Sequence, residues 1–231
     1  MKPTENAPEE AMLGPGDASI WPAGAVCLEA RMEHLVAGSV PALLVLTTEP
    51  DPRAWPGPVA LSGALARSVA PETPRVQACL LTPGERAVQR HTHALGQDVH
   101  LLATRLGHLL HDFREHPALA SRSWRVLCCG HAAAAALVCA AALPGRIEAI
   151  VSWQGRPDLA GAALDGVRCP VLLAVAEDDT PMVDLNRRAQ RRTPGRCQLV
   201  RVRAGAERVP ALLRAMRPRL TPSSGGLGRV A

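Results

Sequence analysis

The chain has no tyrosine, one phenylalanine (Phe113) and one lysine (Lys2) in 231 residues. With so few rings, a core has to be assembled from Leu, Val, Ala and four Trp, and little is left to stack on nucleic-acid bases. No C-x-x-C pair occurs among the seven cysteines. That spacing and the odd count argue against a zinc ribbon and against a disulfide framework. Several of the cysteines lie inside apolar runs, where a free thiol behaves as a small buried hydrophobe. The first residues lack the basic, apolar, small-residue order of a secretory signal. No apolar run is long and unbroken enough to span a bilayer as a helix; VLCCGHAAAAALVCAAAL comes nearest and is interrupted at Gly130-His131. A cytoplasmic location and no membrane partner are the expectation.

What is present is an alternation of short apolar runs with longer helical patterns. Residues 1–19 are acidic and rich in Pro and Gly, and read as a flexible lead-in. Residues 20–220 are long enough for one α/β domain that buries roughly 70–75% of its unfolded surface. TPSSGGLGRVA, 221–231, has the composition of a disordered tail. Strands are expected in AVCLEARM, VPALLVLTT, RVQACLLT, WRVLCC, EAIVSW, PVLLAVAE and CQLVRVRA. Most are continuous apolar runs, as strands buried on both faces of a parallel sheet should be. AVCLEARM alternates and reads as an antiparallel edge strand. Helical patterns fall in PVALSGALARSV, DVHLLATRLGHLLHDFREH, AAAAALVCAAAL, MVDLNRRAQRR and VPALLRAMRPRL. In the second of these, apolar residues at 99, 102, 106, 109, 110 and 113 mark one face. The fold class this predicts is α/β, a doubly wound, mostly parallel sheet flanked by helices.

Two clusters invite a chemical reading and do not sustain it. His91 and His93, with the i, i+3 pair His108 and His111 near Asp112 and Glu115, offer metal-ligand types. No third ligand stands at zinc-like spacing, and much of the set falls on a polar helix face, so neither a metal nor a cofactor is expected. The region after Asp184 is crowded with arginine and has one acid, Glu207. A charge patch alone speaks of solubility and non-specific contact. With little aromatic material to stack on bases and no recognisable motif, nucleic acid is not the expected partner.

In a doubly wound sheet, function gathers at the carboxyl ends of the strands. One such end, VLCCGHAAAAAL (Val126 to Leu137), turns at a glycine into an alanine-rich helix. That turn offers two cysteines, a glycine and a histidine, and no serine. From about Ile20 to Leu220 the chain resembles the dienelactone hydrolase-like branch of the α/β-hydrolase superfamily. The resemblance is carried by IWPAGAVCLEA, LLTPGERAVQRHTHALGQDVHLLATRL, the VLCCGHAAAAAL turn, VSWQGRPDLAGAALDGVRCPVLLAVAEDDTPMVDLNRRA and CQLVRVRAGAERVP.

The resemblance implies a Ser or Cys nucleophile in a G-x-S-x-G-type elbow, an acid after a later strand, and a histidine after the last one. Counted back from the alanine-rich helix, the nucleophile position falls on Gly130, flanked by Cys128 and Ala132. The acid position falls on Asp179, and the histidine position on Glu207. The His-Gly that shapes the family's oxyanion region is matched by Thr47-Thr48. Only Asp179 keeps its chemical kind, and with no histidine partner it is expected to cap the turn or helix that PMVDLNRRA begins. No histidine follows His131 in the chain, so nothing beyond Asp179 can act as the base in the usual order, and a carboxylate at Glu207 is a weak base.

If the turn slips by one residue, Cys129 becomes the nucleophile at a helix N-terminus, where thiolate is stabilised, with His131 assisting. The expectation is a catalytically degenerate protein that binds a small molecule or a protein, a second copy of itself included. The alternative is an ester or lactone hydrolase that uses Cys129.

Overall fold

The computed structural model describes residues 18–33, 41–48, 74–92 and 94–202. The helical patterns expected in PVALSGALARSV and VPALLRAMRPRL, together with His93 and Glu207, lie outside the described residues. Eight strands form one sheet: β1 Ala18–Ala23, β2 Val26–Glu33, β3 Ala42–Thr47, β4 Arg75–Cys79, β5 Trp124–Gly130, β6 Ile147–Gly155, β7 Val171–Ala176 and β8 Cys197–Val202. Their spatial order is β1-β2-β4-β3-β5-β6-β7-β8. The pairs β1–β2 and β2–β4 are antiparallel, and all others are parallel. The exchange of β3 and β4 in that order is a crossover, and the rest of the sheet then grows outward one strand at a time.

Every strand expected from the apolar runs is present. The edge strand is a correction. AVCLEARM forms β2, which is antiparallel but interior; β1, which carries Ser19 to Ala23, pairs with it and takes the edge. Pro22 and Gly24 disguise this hairpin, although Gly24 marks it through φ +71 at the turn, a conformation glycine adopts without strain. The turn lies on helix α3 (Val99–Asp112), because a Cβ at Gly24 would stand 3.0 Å from the His108 ring.

Two further helices precede α3: α1 Pro83–Thr92 and the short α2 Ala94–Gln97. The start of α1 is written in the sequence as T-P-G-E. Thr82 Oγ1 accepts from the Glu85 N–H, while Glu85 Oε2 accepts from the Thr82 N–H, the reciprocal capping box. The expected face of α3 is observed, with Leu102, Leu106, Leu109, Leu110 and Phe113 at 0–1% exposure. Arg105 is buried among them, which the pattern did not foretell. Its guanidinium donates to both Glu85 carboxylate oxygens (2.7 and 2.6 Å) and to the Leu80 carbonyl (3.0 Å).

Helix α4 (Ala132–Ala142) has almost no polar face: Ala132 to Leu137, Cys139 and Ala140 are all buried. Small side chains let it approach α3 closely enough for the Cys139 thiol to donate to the Ala103 carbonyl at 3.2 Å. Burial pushes that thiol up to about 12. A 3-10 helix, Pro157–Gly166, and α5, Thr180–Arg192, complete the described elements.

Three of the four described Trp and Phe rings meet in one cluster, while Trp153 packs on the other face of the sheet. Phe113 lies 4.9 Å from Trp124 and meets Trp21 edge-on at 5.2 Å, and Trp21 also touches His116. The main core joins this cluster to the helices. A second apolar layer, Leu43, Val45, Leu127, Val151 and Leu172, consists only of strand residues and is buried on the opposite face. Burial on both faces is why these strands read as unbroken apolar runs.

Candidate functional site

Thr47, Gly130 and Asp179 stand at the carboxyl ends of β3, β5 and β7, on one side of the sheet because those strands run parallel. Gly130 is the last residue of β5, and its φ is +54. A left-handed residue between a strand and a helix is what a sharp elbow requires, and glycine takes it without the penalty a Cβ brings. His131 follows with helical dihedrals at the start of α4 and offers no side-chain cap to it.

The neighbouring strand is shaped around this turn. Cys129 pairs with Trp153, whereas Gly130 pairs with Gly155, so Gln154 is an extra residue in a bulge. Gln154 has φ +46, unusual for a residue with a side chain. Its Oε1 accepts from the Ala176 N–H at 3.0 Å, which ties the ends of β6 and β7 together. The bulge returns the chain so that the Arg156 N–H donates to the Gly130 carbonyl at 2.9 Å. Arg156 itself forms a two-pronged pair with Asp158, both contacts at 2.9 Å.

Beneath the elbow, Gly155 is in a place that admits no side chain. A Cβ there would lie 2.0 Å from Ser152 Oγ and 2.6 Å from the Ala133 Cβ. Asn186, fully buried on α5, donates to the Gly155 carbonyl at 3.1 Å and to the Met182 carbonyl at 2.9 Å. Neither Gln154 nor Asn186 was singled out for such a role from the sequence. The one available signal was a glycine following the polar end of an apolar run.

The thiols turn inward. Cys128 is 1% exposed and donates to the Val151 carbonyl at 3.4 Å. Burial, and next the neighbouring Cys129, push its thiol well above the ordinary value. Cys129 is 8% exposed, in strand pairing with Trp153, with its Sγ 3.8 Å from the Leu46 carbonyl. The left-handed residue of the turn is Gly130, one position after Cys129.

Asp179 caps α5, its Oδ1 accepting from the Met182 N–H at 3.1 Å. Thr47 presents its carbonyl to the Leu80 N–H at 2.9 Å, and Thr48 is buried. The histidines His91, His100, His108 and His111 are exposed. Among the described residues no three His, Cys, Asp or Glu side chains gather as metal ligands. No described helix is long and apolar enough to cross a membrane.

No family model matches the chain. Among solved structures it is similar to the dienelactone hydrolase of Anabaena variabilis, with a TM-score of 0.73 and 23% identity over 89% of this chain and 95% of that one. It is similar to a dienelactone hydrolase-like promiscuous phosphotriesterase from metagenomic libraries (TM-score 0.67, 12% identity, 89% and 98% covered). Est1E of Butyrivibrio proteoclasticus gives a TM-score of 0.66 at 10% identity, with 89% and 98% covered. The fold is therefore that of the α/β-hydrolases, an eight-stranded, mostly parallel sheet with flanking helices.

In sequence, the chain is 40% identical over 120 residues to two Mycobacterium tuberculosis proteins that carry the provisional name phosphoribosyl transferase. The match takes in 52% of this chain and 26% of theirs, so the chain spans about a quarter of the length of the curated relatives it matches.

Proposed function

We propose that this chain is a hydrolase-fold protein without the covalent chemistry of a hydrolase, and that it binds a small molecule or a protein partner at the carboxyl ends of its parallel strands. One observation carries the reading. The left-handed residue of the strand-to-helix turn, where this fold presents a nucleophile, is Gly130 and has no side chain. The inward set of both neighbouring thiols supports it. So does the Asp179 carboxylate, which is engaged by the first turn of α5. The sequence adds that no histidine follows His131. Loss of both nucleophile and base from such a triad costs on the order of 10⁶ in turnover. A partner-binding role is also in keeping with relatives in which a region like about half of this chain is one part of a longer polypeptide.

The purified protein, Cys129→Ala and Asp179→Asn are all expected to hydrolyse p-nitrophenyl acetate and a simple lactone no faster than buffer. Turnover above buffer that vanishes in Cys129→Ala would overturn this reading. It would assign a thiol-dependent ester or lactone hydrolase with Cys129 as nucleophile and His131 assisting.

A further inference from the structure

No further inference is drawn: the strongest candidate, the start of α4 at the Gly130 elbow, which has no side-chain cap and lies beside the end of β3 that carries the buried Thr48, belongs to the site already described, where the resemblance places the family's oxyanion region.

Discussion

Glu85→Ala is expected to destabilise the protein by about 2–3 kcal/mol, because it strips the buried Arg105 of its carboxylate in a pair whose acid is itself only partly buried. Arg105 is 4% exposed and its charge cannot be shed by deprotonation. Without Glu85 the guanidinium keeps one carbonyl, that of Leu80, and no counter-charge among the partners seen. The same substitution removes half of the capping box at the start of α1. Urea unfolding should therefore show a lower midpoint at unchanged slope. The double variant Glu85→Ala, Arg105→Met should recover most of the loss, since it no longer leaves a buried guanidinium without its counter-charge. If single and double variants are equally damaged, the pair is not what holds α1 against α3.

This pair also has a pH signature. The hydrogen bonds from Arg105, and to a smaller extent those with Thr82, hold the Glu85 carboxyl at about 2, below its ordinary 4.5, against the opposing effect of burial. A carboxyl depressed in the folded state contributes stability that is fully present above 4.5 and is lost as pH falls from there through about 2. Glu85→Gln should lack that segment of the acid dependence and otherwise unfold over the same pH range as the parent.

Gly155→Ala carries the second large effect, expected at about 3 kcal/mol, the upper part of the usual range for overpacking a tight core. Ser152 and Ala133, the two residues a new Cβ would strike, are both fully buried. Neither can retreat into solvent, and Ala133 belongs to the first turn of α4. Ser152→Ala by itself should be close to neutral, because its Oγ is buried and has no hydrogen-bond partner among the described residues. Combined with Gly155→Ala it should recover part of the loss, since the 2.0 Å contact disappears while the 2.6 Å contact with Ala133 stays. A Gly155→Ala protein with the melting temperature of the parent would show that the end of β6 can move away from the elbow.

Much of the architecture was legible in the residues. Parallel strands covered on both faces must be apolar throughout, so VPALLVLTT, WRVLCC and PVLLAVAE announce themselves. The face of α3 is written in the spacing of Leu102, Leu106, Leu109 and Phe113, and the elbow in a lone glycine between an apolar run and an alanine helix. Some of what was missed had a signal. The T-P-G-E box opens α1, and Gly24 turns the β1–β2 hairpin, but both sit in segments with no long apolar pattern to draw attention.

Local sequence, then, determined the period of each element and where the chain must turn, because propensity, capping and glycine dihedrals act between near neighbours. Only the tertiary structure decided which groups meet. Arg105 finds Glu85 across 20 residues. The Cys129 thiol is turned to a carbonyl 83 residues away. Asp179 closes a helix, and Arg192 of α5 reaches Asp165 across 27 residues. Those outcomes depend on desolvation and on the register of strands far apart in the chain. Neither is encoded in any short stretch of residues.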